Sequence, residues 1–435
     1  MNDAPPRTFL FLQGPSSPIF MKIAARLEAR GHRCLRINLN MGDRIFWRRR
    51  GAFHYRGRVG DFGAYAARVM REERVSDLVL LGEERPHHRA ATAAARALGV
   101  DVTVIEMGYL RPDWLTVERD GMSSNSHFPA DPDHILEAAR ALPEPDWTPR
   151  YSQTFVADAG YDLLYNLPNV FLWFVYPHYR WHALFHPLAE YYGWVRRLMA
   201  GKRRAREAAE AIAALRASRA PYFVLPLQLQ TDYQLRAHSP YCRQEDAIDE
   251  VLTSFAAHAD PDARLLVKLH PLDNGLIDWR GFITRRAAAL HLGDRAAFVD
   301  GGDLAALLAA SRGCVTVNST VGLHALRERT PVKVLGTAIF DMPGLTDQRP
   351  LDAFWRDPAL PDADLVSAFF RLVAASIQVR GNFYSTAGTD AGAEAIAERL
   401  DRRSVNEPGG FVDPPPRRHP RKRPPASGRV ADPLS

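Results

Sequence analysis

Thr8-Phe9-Leu10-Phe11-Leu12 runs into Gln13-Gly14-Pro15-Ser16-Ser17-Pro18 near the start of the chain. The first five residues read as a buried strand, because four of them are apolar, and the next six read as a loop. A helix is expected from Ile19 to Arg30, with Gly31 as its stop. Cys34-Leu35-Arg36-Ile37-Asn38-Leu39 is a second strand and Leu78 to Leu81 a third. Arg89 to Leu98 is an Ala-rich helix, and Val102 to Ile105 a fourth strand. Strands that alternate with helices predict parallel βαβ units, whose working edge lies at the carboxyl ends of the strands.

The pattern restarts at Pro221. Strands are expected at Tyr222 to Leu229, Leu265 to Leu269, Ala297 to Val299, Cys314 to Val317 and Val332 to Leu335. Helices separate them at Asp246 to His258, Leu304 to Ala310 and Gly322 to Arg327. The fold class that follows is α/β, with two Rossmann-like lobes facing a cleft. Residues 1–130 form an N-terminal lobe, and 131–220 a linker with an aromatic-rich helical segment. Residues 221–345 form the C-terminal lobe, and 346–403 helices that pack across the lobes. Residues 404–435 are a Pro/Arg-rich tail expected to be disordered for want of apolar residues to bury.

The chain has 435 residues, 46% hydrophobic and 24% charged, which excludes a wholly disordered chain, a collagen-like fibre and a small disulfide scaffold. The net charge is +6. Residues 404–435 carry six Lys/Arg against three acids, so the tail supplies +3 of it. The body is only mildly basic, and no nucleic-acid partner is expected. Cys34, Cys242 and Cys314 are too far apart for a disulfide framework or a metal-spaced pair, which suits a reducing compartment. No apolar leader is seen near Met1, and no run reaches the ~18 apolar residues that span a bilayer. A cytoplasmic location is expected, with a membrane surface left open. Tyr165 to Met199 is dense in aromatics and flanked by Arg196 and Arg197. It reads either as an interfacial surface or as a helix pair with an aromatic core.

Three elements of the second half fall at carboxyl ends of expected strands: Gln228-Leu229-Gln230-Thr231-Asp232, Lys268-Leu269-His270-Pro271 and Asn318-Ser319-Thr320. Small hydroxyl residues that open a helix offer backbone N–H groups to a phosphate. A histidine on the neighbouring tip donates to the same phosphate, Pro271 fixes its turn, and Asp232 is a nucleophile or base for a sugar carbon. Each element alone is commonly a cap or a turn; their shared edge is what carries weight. No Gly-x-x-x-x-Gly-Lys-Ser/Thr loop occurs, and Gln13-Gly14-Pro15 holds one glycine where a dinucleotide fingerprint wants three. Neither a metal nor a cofactor is expected. His87 and His88 are expected to be solvated or acceptor-facing rather than metal ligands.

The chain resembles a family. Phe11-Leu12-Gln13-Gly14-Pro15, Arg36 to Asp43 with Phe46-Trp47, and Glu106 to Asp113 with Thr116-Val117-Glu118 carry the resemblance in the first half. Pro177-His178-Tyr179-Arg180, the three strand-end elements and Gly381-Asn382-Phe383-Tyr384 carry it in the rest. These strings are similar to the capsular-polysaccharide β-Kdo transferases of the KpsS/LipB type, within the capsule biosynthesis and export family. The resemblance implies a GT-B glycosyltransferase that takes Kdo (3-deoxy-D-manno-octulosonic acid) from CMP-β-Kdo with retention. It implies an anionic lyso-phosphatidylglycerol acceptor, a peripheral position on the cytoplasmic face of the inner membrane, and other capsule biosynthesis and export proteins as partners. Carried over by position, Asp232 and His270 are catalytic. Gln230, Lys268, Pro271, Asn318, Ser319 and Thr320 hold the donor, with His270, Ser319 and Thr320 at its phosphate. Gln13, Gly14, Asp43, Glu106, Arg111 and Arg180 lie on the acceptor side. Two alternatives stand: a non-catalytic assembly or export scaffold that binds glycolipid, and a transferase that uses another CMP-sugar.

Overall fold

A computed structural model describes residues 5–152, 154–181 and 184–423. The chain divides into two compact units. The first comprises Met1–Pro129, Ala138–His182 and Phe370–Pro416; the second comprises Ala130–Glu137, Ala183–Phe369 and the residues from Arg417.

The first unit holds strands β1 (Thr8–Phe11), β2 (Arg33–Asn38), β3 (Ala52–His54), β4 (Asp77–Leu81), β5 (Asp101–Met107) and β6 (Trp114–Arg119). Its parallel order is β3-β2-β1-β4-β5, and β6 then adds antiparallel to β5. A late strand, Gln378–Arg380, pairs antiparallel with β6 and closes that edge. Phe9 and Phe11 pack on one face with Ile19, Phe20, Ile23 and Leu27, and Leu10 and Leu12 pack on the other with Phe62 and Val69. Burial on both faces explains why the opening run shows no alternation.

The second unit is built on β7 (Tyr222–Pro226), β8 (Arg264–Lys268), β9 (Ala296–Val299), β10 (Gly313–Thr316) and β11 (Val332–Val334), in the order β9-β8-β7-β10-β11, all parallel. Counted within each unit, both parallel sheets read 3-2-1-4-5. The order reverses between β1 and β4 in the first and between β7 and β10 in the second. Each reversal is a topological switch point, where adjoining connections leave in opposite directions and open a crevice at the carboxyl edge.

Several expectations change. Strands β3, β6 and Gln378–Arg380 were not expected. Two of them are three residues long, and β6 is set by pairing rather than by local pattern. Strand β7 ends at Pro226, not Leu229, because the Leu227 N–H makes the last ladder bond to the Lys268 carbonyl (2.8 Å) and Gln228 then turns away. The tail is not disordered as far as Arg423. Val405 is buried in the first core. The Asn406 side chain accepts from the Arg119 N–H at 2.8 Å and donates to the Gly410 carbonyl at 2.7 Å. In the second unit Arg417 donates to the Ala338 and Ile339 carbonyls, and Lys422 to the carbonyls of Arg236, Ser239 and Tyr241. Polar side chains with carbonyl partners order this segment where apolar burial alone does not. The rest of the expected tail, 424–435, lies outside the described residues. No helix among the described residues is long and apolar enough to cross a membrane.

Candidate active site

Strands β10, β7 and β8 are neighbours, so the three sequence elements emerge side by side at the carboxyl edge of the second unit. Gln228 and Asn318 face each other across the switch point. Gln228 Nε2 donates to Asn318 Oδ1 at 2.9 Å, and the Asn318 N–H donates to Gln228 Oε1 at 3.1 Å. Asn318 Nδ2 in turn donates to the carbonyls of Gln234 (2.7 Å) and His238 (3.2 Å), closing the end of the short helix Tyr233–Ala237. Asp232 caps the start of that helix: its Oδ1 accepts from the Gln234 N–H at 2.8 Å. One carboxylate oxygen is thereby oriented by the backbone.

Gln230 is buried. Its Oε1 accepts from the Gln244 N–H (2.7 Å), and Gln244 Oε1 accepts from the Gln228 N–H (2.7 Å). The loop after β7 is thus held by a closed amide network. On the next tip His270 Nδ1 accepts from the Leu272 N–H at 3.1 Å, which leaves the proton of the neutral ring on Nε2, a donor. Lys268 is only 6% exposed, and its ammonium makes no ion pair among the described residues. Burial lowers its pKa, against a smaller opposing pull from Asp300. Pro271 is exposed beside it. On the β10 tip the Ser319 hydroxyl accepts from the Val321 N–H at 3.2 Å, and Thr320 makes no side-chain cap. A small cavity of about 120 Å³ adjoins this edge, lined by Gln230, Thr231, Glu190 and Trp194 among others.

The matching edge of the first unit is polar and closed. Gln13 Nε2 donates to the hydroxyls of Tyr165 (2.6 Å) and Tyr179 (3.1 Å), and Arg85 donates to Gln13 Oε1 at 2.9 Å. Asn40 donates to the Tyr165 hydroxyl at 2.8 Å, and that hydroxyl donates to Asp43 at 3.2 Å. Asp43 also takes Arg36 (3.0 Å) and the Leu39 N–H (2.9 Å).

The family model described as capsule polysaccharide biosynthesis protein matches residues 76–384. The capsule polysaccharide export protein KpsS of Escherichia coli is 32% identical over 384 residues, covering 87% of this chain and 97% of that protein. The chain belongs to the capsule polysaccharide biosynthesis family. The capsule polysaccharide modification protein LipB of Neisseria meningitidis serogroup A is also 32% identical, over 385 residues, covering 86% of this chain and 91% of that one. Among solved structures, KpsC of Thermosulfurimonas dismutans, a β-Kdo 2,7 transferase, aligns with a TM-score of 0.43 at 15% identity, covering 91% of this chain and 99% of that one.

The geometry sorts the family motifs into two kinds. The first-half string Asn40-Met41-Gly42-Asp43 is architectural. Asn40 caps the helix Met41–Ile45, and Gly42 lies so close to the Tyr165 ring that a Cβ there would sit 2.5 Å from it. Asp43 is fully buried, and its carboxylate is taken up by Arg36, Tyr165 and the Leu39 N–H. Gln13 is buried in the same network, and Gly14 packs against Phe20. Glu106 and Arg111 are partly exposed and Arg180 exposed. His87 and His88 are buried, not solvated; burial drives them down to about 4 and about 3, and His88 Nδ1–H serves the Leu81 and Gly82 carbonyls. One residue was missed. Glu83 follows β4 at the first switch point, buried, with Oε1 accepting from the Met122 N–H (2.8 Å) and Asn125 (2.9 Å). Burial raises its pKa to about 7. Its place two residues beyond the strand Leu78 to Leu81 was the available signal.

Proposed function

We propose that this family member is a retaining β-Kdo glycosyltransferase, which moves Kdo from CMP-β-Kdo to a lyso-phosphatidylglycerol-type lipid and so starts the Kdo linker of a capsular polysaccharide. The observation that carries the reading is that Asp232, Lys268, His270 and Ser319 belong to segments at the carboxyl ends of three adjacent parallel strands, next to a switch point. The relatives that match over most of their length are capsule proteins, which supports a capsule substrate.

The donor is a phosphate ester at a carbon that also bears a carboxylate. As the bond from the anomeric carbon to the phosphate oxygen breaks, its electron pair leaves with CMP. Lys268, the His270 Nε2–H and the Ser319 hydroxyl supply charge and hydrogen bonds to that leaving phosphate. An Asp232 carboxylate oxygen forms a bond to the anomeric carbon from the opposite face. The acceptor hydroxyl then displaces Asp232, which regains its carboxylate, and releases its proton to solvent; two inversions give net retention. Gln230 and Gln228 hold the β7 loop that carries Asp232, and Asn318 ties it to β10. The acceptor places the reaction at the cytoplasmic face of the inner membrane, with capsule biosynthesis and export proteins as neighbours.

Purified protein incubated with CMP-β-Kdo and a short-chain lyso-phosphatidylglycerol is expected to give a lipid heavier by Kdo, and Asp232→Ala none. No product from the wild type with any CMP-sugar would favour the scaffold reading. Product from a different CMP-sugar alone would reassign the donor.

A further inference from the structure

The helix Pro187–Met199 in the second unit is amphipathic the wrong way round for a core helix. Its buried positions are Pro187, Gly193 and Arg197. Gly193 lies flush on the following loops, where a Cβ would come within 2.4 Å of the Asn274 carbonyl oxygen. The opposite face carries Leu188, Tyr192, Val195 and Met199, which are 47%, 61%, 54% and 76% exposed. Spacings of four, three and four residues put all four on one stripe.

The chain that follows that stripe is cationic. Residues 196–206 hold six Lys/Arg and no acid. Two of the six are spent inside the unit: Arg197 and Arg204 bind Asp300 at 3.1 and 2.6 Å. Arg203 shares Glu207 with Arg280, at 3.6 and 3.0 Å. Arg196 and Lys202 meet no carboxylate among the described residues, and Arg196 lies over the Tyr192 ring. A cavity of about 780 Å³ opens here, with Arg196, Met199 and Arg203 on one part of its wall and Glu207, Asp278 and Asp300 on another. Apolar side chains next to unspent cations match the boundary between acyl chains and anionic headgroups. A solvated helix face does not need four large apolar residues in line, and a protein partner does not need a run of cations without acids.

We propose that the Pro187–Met199 stripe inserts into an anionic phospholipid surface, with Arg196 and Lys202 taking headgroup phosphates. Phe171, Trp173 and Phe174 of the first unit, each more than half exposed, present a second apolar segment of the same kind. The inference deepens the lipid-acceptor reading by naming what meets the bilayer, and vesicle binding needs no donor, so its failure is separable from failure of transfer.

The test is sedimentation of the full chain with phosphatidylcholine vesicles, with or without phosphatidylglycerol. The expected result is binding only to the anionic vesicles. Arg196→Gln with Lys202→Gln should weaken it about thirtyfold, at roughly 1 kcal/mol for each lost surface cation. Val195→Asp with Met199→Asp should abolish it while the thermal midpoint stays that of the wild type. Three results would overturn the proposal: equal binding to neutral vesicles, unchanged binding by the Asp pair, or a wild-type dimer that the Asp pair dissociates. Competition by millimolar inorganic phosphate alone, with the Asp pair still bound, would also overturn it, because a phosphate pocket would then suffice.

Discussion

Gln228 and Asn318 exchange two hydrogen bonds, Nε2 to Oδ1 at 2.9 Å and backbone N–H to Oε1 at 3.1 Å, and so lock the tips of β7 and β10 together where the strand order reverses. Neighbouring connections diverge there, and this amide pair spans the point of divergence.

Replacing Gln228 with Leu keeps the volume but strips both bonds and takes a partner from the half-buried Asn318 Oδ1 and backbone N–H. The expected cost is about 1–3 kcal/mol of stability, together with loss of transfer, because the loop that carries Asp232 loses its tether. Urea denaturation and the transfer assay check this; an unaffected transfer rate would remove the network from the account of the site.

Lys268 carries a charge that no carboxylate in the described structure pairs with. Lys268→Met should therefore leave stability unchanged or raise it, since the desolvated ammonium goes and no ion pair goes with it. The same variant should bind donor at least about tenfold more weakly, as loss of a charge-assisted bond to phosphate requires. Melting curves set beside donor KM separate the two effects.

Glu83 gives a pH prediction. Its folded pKa is raised to about 7 from an unfolded value of 4.5, so its contribution is fully present below pH 4.5 and is lost as pH rises through 7. Glu83→Gln removes that dependence. At pH 8 the variant should be more stable than the wild type by roughly 3 kcal/mol, and at pH 4.5 the two should be alike. Chemical denaturation at the two pH values decides it.

Gly42→Ala tests the architectural reading of the first-half motif. A Cβ there meets the Tyr165 ring, whose hydroxyl is pinned by Gln13, Asn40 and Asp43 and cannot retreat. The expected cost is about 1–3 kcal/mol, read as a lowered thermal midpoint.

The sequence made the sheets legible wherever strands are buried on both faces, as at Phe9 to Leu12 and Leu265 to Val267. A short continuous apolar run between turn residues fits a strand covered on both sides. It was silent at Ala52–His54 and Gln378–Arg380, edge strands of three residues that exist only because a neighbour offers hydrogen bonds. Strand ends were legible enough to align Gln228, His270 and Asn318 on one edge. Roles within a motif were not: Asp43 and Arg180 look equally functional as letters, and only burial distinguishes a carboxylate consumed by Arg36 from an arginine in solvent. The tail shows the converse limit. Composition marks Pro414 to Arg423 as unable to build a core, yet Arg417 and Lys422 anchor it through backbone carbonyls, which no hydropathy pattern records.

Calorimetric titration of CMP into the purified chain shows whether the β7, β8 and β10 tips form one nucleotide-sugar site. One site per chain is predicted, weakened at least about tenfold in His270→Ala and in Lys268→Met and kept in Asp232→Asn, whose carboxylate acts on the sugar rather than on the nucleotide. Undiminished CMP binding in both the His270 and the Lys268 variants would contradict it.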